Sequence, residues 1–116
     1  MLNKVTRIAW LYDFYGQLLT KKQRSLIELY YHQDLSLGEI ALEYGVSRQA
    51  VHDLLKRAEA ILEAYERSLG FFAKFWHQKQ LIEEIQGILA EISLPENRDK
   101  ELQSLLESVI KVYQEP

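Results

Sequence analysis

The chain has 116 residues, of which 47% are hydrophobic and 27% charged, so it can build a packed core and wholesale disorder is excluded. It has no cysteine, which excludes disulfides and cysteine-based zinc sites, and its formal charge of −3 excludes a uniformly basic coat for nucleic acid. No run approaches the ~18 apolar residues of a membrane span, and "MLNKVTRIAWLYDFYGQLL" does not read as a signal peptide, so a soluble cytoplasmic protein is expected.

The apolar period is helical from end to end, and no strand signal or internal repeat interrupts it, which places the chain in the all-α class. The first helix carries Val5, Ile8, Tyr12, Tyr15 and Leu19 at steps of three and four, one face of a helix that Gly16 weakens without ending. The second starts at Thr20, because "TKKQ" is a capping box in which Thr20 and Gln23 satisfy each other's backbone amides. Its buried face is Leu26, Ile27 and Tyr30. After "HQDLS" the same logic recurs in "SLGE", with Ser36 as cap and Glu39 three residues on. This third helix is short, points Leu37, Ile40, Ala41 and Tyr44 inward, and stops at Gly45.

Ser47 caps the next helix, whose apolar rhythm runs from Val51 past "FFAKFW" at 71–76 to Ile92, with Gly70 the only candidate bend. A helix of that extent is on the order of 65 Å long at 1.5 Å per residue, so it folds back at Gly70 or pairs with another chain. "SLPENRD" interrupts the pattern, with Pro95 suited to a first helical turn. A last helix carries Leu102, Leu105, Leu106, Val109, Ile110 and Tyr113. Two domains are expected: a helical domain at 1–69 and a helical tail at 70–116.

Residues 37–54 have the spacing of a helix-turn-helix. Ala41 is small where two helix backbones approach, Gly45 permits the sharp turn, Val46 plugs the corner, and Ile40, Val51 and Leu54 clamp the pair. The second helix then faces outward with Arg48, Gln49, His52, Asp53 and Lys56. Arg48, Gln49 and His52 carry donors and acceptors for base edges. Ser47, Lys56 and Arg57 suit phosphate, as do Lys21, Lys22 and Arg24, three cations at a helix start where the helix dipole opposes them. Asp53 and the run Glu59, Glu63, Glu66 count against tight binding.

No catalytic arrangement is present. "GVSRQ" is not a hydrolase elbow, there is no phosphate-cradling glycine loop, and His32, His52 and His77 lack ligand spacing, so no enzyme activity, metal or cofactor is expected.

The stretches "YDFYGQLLTKKQRSLIELYY" and "EIALEYGVSRQAVHDLLKR" extend the comparison beyond the turn. Together they resemble region 4 of bacterial sigma factors and, more closely, the YlxM family of small bacterial proteins, over roughly residues 5–70. The resemblance implies a DNA-binding regulatory protein with a sigma region 4-like helix-turn-helix, tied to the signal recognition particle pathway through gene order. Two readings follow. The preferred one has double-stranded DNA as partner. The rival is a non-DNA-binding accessory that docks on protein or RNA of the signal recognition particle. A homodimer is expected, through residues near 65–90 that include Tyr65, Leu69, Phe72, Phe75 and Trp76, with the last helix packing alongside and the first helix as the alternative contact.

Overall fold

In the computed structural model, which describes residues 2–112, six helices and no strand are found among the described residues. They are α1 (Lys4–Tyr15), α2 (Lys21–Ile27), α3 (Leu37–Tyr44), α4 (Arg48–Leu69), α5 (Phe71–Leu89) and α6 (Glu96–Lys111). Tyr113, expected on the last helix, lies outside the described residues. None of these helices is long and apolar enough to cross a membrane. The chain divides into two compact units, residues 1–70 and 71–116.

The first unit is built around α4, on which α1, α2 and α3 all pack. Its core is Ile8, Leu11, Tyr15, Leu19, Leu26, Ile27, Ile40, Val51, Leu55, Ala58 and Leu62, each buried. Burial of each Leu, Ile or Val contributes about 1.5–3 kcal/mol, offset by chain entropy. Both expected capping boxes form. Thr20 Oγ1 accepts from Gln23 N at 3.2 Å while Gln23 Oε1 accepts from Thr20 N at 2.9 Å. Ser36 and Glu39 do the same at 3.1 and 3.0 Å.

Three expectations need correction. The first helix does not run through Gly16: α1 ends at Tyr15, and Gly16–Leu18 form a tighter 3₁₀ turn that delivers Leu19 to the core. On α1 it is Leu11, not Val5, that belongs to the buried face; Val5 is exposed. The second helix widens into a π turn at Glu28–His32, which leaves Tyr30 and Tyr31 half-buried, and Tyr31 reaches across to α4. The apolar run expected past Val51 breaks at its one candidate bend, Gly70, into α4 and α5. α4 closes at Gly70, whose φ of 64° lies in the left-handed region that ends helices, with its N–H bonded to the Glu66 carbonyl.

A polar seam joins α1 to α4. Arg7 donates from Nε and Nη2 to Glu63 at 2.7 and 2.9 Å, a bidentate pair. Glu59, buried, takes Lys4 Nζ at 2.9 Å and accepts from the Tyr31 hydroxyl at 2.9 Å. Glu66, also buried, accepts from the Tyr15 hydroxyl at 2.6 Å. Among the described residues no buried side-chain nitrogen or oxygen lacks a partner.

The second unit consists of α5 and α6, which touch each other across the connection at 90–95. Pro95 sits just before the first turn of α6. Nothing in α6 is fully buried.

The Arg7 guanidinium holds the Glu63 carboxyl below its ordinary value of 4.5, against a smaller opposing effect of burial. A depressed carboxylate stabilises the fold above its unfolded value and stops doing so as pH falls through its folded value. Glu63→Gln is therefore expected to lower unfolding stability by about 1 kcal/mol at neutral pH, since the pair is partly exposed. Urea titrations across pH should show that difference shrinking below about pH 4.5. A difference independent of pH would contradict the pairing.

Candidate nucleic-acid interface

The site begins at the corner between α3 and α4. Gly45 takes φ 65°, ψ 38°, a conformation that costs a residue with a Cβ about 1 kcal/mol or more. Its N–H and that of Val46 both bond to the Ala41 carbonyl, so the α3 end is satisfied inside the turn. Ser47 Oγ then accepts from Ala50 N at 3.0 Å and starts α4 three residues after α3 ends. Ile40 and Val51 clamp the pair at full burial, while Leu54 is only half-buried and Leu55 takes the interior place. Val46 does not plug the corner. It is 40% exposed, because the left-handed glycine turns the following residue outward. On the other side, Ser25 Oγ and the Tyr44 hydroxyl lie 2.6 Å apart and tie α2 to α3.

This framework presents the first two turns of α4. Ser47, Arg48 and Gln49 are exposed, His52 is half-exposed, and Lys56 and Arg57 are exposed one turn further on. Arg48 and Arg57 make no hydrogen bond or ion pair with any of the described residues, so both guanidinium groups are available to a ligand. Gln49 Nε2 donates to Asp53 Oδ1 at 3.0 Å, and His52 Nδ1 lies 3.4 Å from the same oxygen. Asp53 thus holds the Gln49 amide in place while leaving its carbonyl oxygen as an acceptor. Lys56 Nζ is 3.5 Å from Glu59, which Lys4 and Tyr31 already satisfy, so Lys56 can turn to phosphate without stranding a buried charge.

The other basic cluster divides. Lys21 and Lys22 are exposed on the first turn of α2 with no ion pair among the described residues. Arg24 is half-buried, beside a cleft of about 300 Å³ that it lines with Tyr12, Asp13 and Glu28, so acidic neighbours share its charge. The Tyr12 hydroxyl donates to Glu28 in the same cleft, and burial together with that bond pushes its pKa up to about 12.

The acidic run weighed against binding has another place. Glu59, Glu63 and Glu66 do not form an exposed acidic face; they line the seam with α1, where Lys4, Arg7, Tyr15 and Tyr31 meet them. The signal was legible in the spacing, for Leu55, Glu59, Leu62 and Glu66 lie on one helical stripe with the core. Residues 1–70 contain nine Lys/Arg and nine Asp/Glu, so the net −3 belongs to the second unit. In the first unit, pairing in the seam takes up Glu59, Glu63 and Glu66 and leaves Arg48, Lys56 and Arg57 at the α4 tip with Asp53 as its one exposed acid. Among the expected interface residues, Phe72 and Phe75 are buried within one chain, whereas Leu69 is exposed and Tyr65 and Trp76 are half-buried. No cluster of His, Asp and Glu capable of holding a metal occurs among the described residues.

Comparison with known proteins agrees with this geometry. Residues 2–107 match the family described as "Putative helix-turn-helix protein, YlxM / p13 like". A protein of Bacillus mycoides is 47% identical over 112 residues, covering 97% of this chain and 99% of the relative. Relatives from Bacillus cereus and Bacillus thuringiensis are 46% identical over the same shares. The chain belongs to this family of helix-turn-helix proteins.

The Ser47 cap can be tested directly. Ser47→Ala removes the acceptor for Ala50 N and is expected to cost about 1 kcal/mol in urea unfolding. Ser47→Asp, which keeps an acceptor there, should restore most of that loss; equal stability of the alanine variant and the unmodified chain would contradict the cap.

Proposed function

We propose that this member of the YlxM / p13-like family is a DNA-binding regulatory protein without catalytic activity, and that α4 is its recognition helix. The observation that carries the reading is the exposed tip of α4. Arg48 is unpaired there beside an oriented Gln49, while Glu59, Glu63 and Glu66 of the same helix meet donors of α1 and the π turn and Asp53 alone of its acids shares the tip. Inserted in a major groove, Arg48 matches the two acceptors of guanine, and Gln49 offers both a donor and an acceptor, the pattern adenine requires. Asp53 can accept from the amino group of cytosine once Gln49 turns to a base. Ser47 and the free amides of the first turn suit a phosphate, as do Lys56, Arg57 and the exposed Lys21 and Lys22.

One observation favours a second reading. Asp53 is 58% exposed in the middle of the tip and repels phosphate wherever no amino group meets it. The tip and α2 then form a docking surface, and of the two partners expected for it, protein or RNA of the signal recognition particle, the exposed Asp53 favours the protein.

The two readings separate by fluorescence anisotropy with random-sequence duplex DNA and with selected sites. Arg48→Ala with Gln49→Ala is expected to weaken a selected site by about 1–3 kcal/mol per lost base contact and to leave random DNA nearly unaffected. Lys56→Ala is expected to weaken all duplexes alike and reduce the salt slope by about one. Absence of any salt-dependent duplex binding by the unmodified chain would sink the DNA reading and leave the docking surface.

A further inference from the structure

The second unit carries an apolar face that its own two helices do not cover. On α5, Leu81, Ile85 and Ile88 follow at spacings of four and three and are 44–60% exposed, and Ile92, in the connection that follows, is 51% exposed. On α6, Leu102 is half-buried, while Leu105, Val109 and Val112 follow it at three, four and three and are 40–73% exposed. The residues through which the helices meet lie one position later in each case. Ile82, Gln86 and Leu89 of α5 are buried or half-buried, as are Gln103, Leu106 and Ile110 of α6, and Gln86 donates to Gln103 at 3.3 Å.

That common offset fixes where the stripes point. One residue is about 100° of helical turn. The short connection at 90–95 sets the helices antiparallel. On two antiparallel neighbours, an equal offset from the contact line turns both stripes to the same side. The hairpin therefore has one apolar face, two helices wide and on the order of 10 Å long from Leu81 to Ile88 at 1.5 Å per residue. A groove of about 340 Å³, lined by Leu94, Arg98, Glu101, Leu102 and Leu105, opens at its loop end.

From this face we infer that the second unit pairs with the same unit of a second copy, the two hairpins closing into a four-helix bundle. Three observations select that occupant. Nothing in α6 is fully buried, and a lone helix of its 16 residues is marginal in water without an apolar partner. The face is two helices wide, and a second identical face covers it with no edge left over, as a twofold axis requires. The charges also match only in one arrangement. The open end of the hairpin is basic, with Lys74 and Lys111, whereas at the loop end Arg98 and Lys100 pair with Glu101 and Glu96 and leave Glu91 and Asp99 as the excess acids. A twofold axis perpendicular to the helices lays the open end of one copy on the loop end of the other, so unlike charges oppose across the rim. The pairing stands apart from what the α4 tip binds, and its centre lies further along the chain than Phe72 and Phe75.

Sedimentation equilibrium of the full chain tests it. The unmodified protein is expected to pass from one to two copies of 13.7 kDa as concentration rises, and Ile88→Glu with Leu105→Glu should weaken that association about 30-fold or more. Glu83→Gln, on the exposed polar side of α5, should leave it unchanged. Circular dichroism verifies that the variants keep their helix content. Should the double variant lose helix, hydrogen exchange of the unmodified chain decides instead: amide protection at 81–112 rises with protein concentration while that at 48–57 stays constant. A monomer at all concentrations, a dimer indifferent to the double variant, or concentration-dependent protection confined to the first unit overturns the inference.

Discussion

Three carboxylates on the inner stripe of α4 have to meet donors before the first unit can close. Glu59 and Glu66 are buried, and a buried carboxylate without a partner costs several kcal/mol. Lys4, Arg7 and Tyr15 of α1 and Tyr31 of the π turn supply the donors, so α1 can lie along α4 only in the register that brings them together. Ion pairs of this kind add little net stability compared with an apolar seam of the same volume. They restrict the arrangement. They also decide the electrostatics of the outer surface, because every acid consumed in the seam is absent from the face a ligand meets.

The outer face depends on that inner one. α4 is fixed along its inner side by α1, α2 and α3, so its first two turns stand free at the end of a rigid support rather than on a loop. Such a support limits the backbone ordering that the proposed binding through Arg48 and Gln49 would require. The half-turn from α3 is set by local chemistry alone: a left-handed Gly45, two amides on the Ala41 carbonyl and a serine cap. The proposed binding surface and the core are thus two sides of one helix.

Much of this was legible in the sequence. Thr20, Ser36, Gly45 and Ser47 act over three or four residues, and such local signals specify helix ends whatever the rest of the chain does. The spacing of Ile40, Ala41 and Val51 gave the turn its partners. What local signals do not fix is how a helix ends when the alternatives differ by about 1 kcal/mol. Gly16 keeps right-handed dihedrals and Gly70 does not, though both sit in unbroken apolar patterns, because tertiary packing settles so small a difference. The glutamates were harder. Charge on its own reads as solvated surface, and only the position of Glu59 and Glu66 on the Leu55–Leu62 stripe marks them as inward. The donors, Lys4, Arg7, Tyr15 and Tyr31, lie 28 to 56 positions away in the chain, beyond the reach of any periodicity.

The most direct test is a map of amide chemical shifts of the isotope-labelled full chain on addition of a short DNA duplex at low salt. A recognition helix at the α4 tip predicts shifts concentrated at residues 47–57 with a smaller set near 21–24, all fading as salt is raised. Shifts confined to 81–112, or none at any salt concentration, would contradict it.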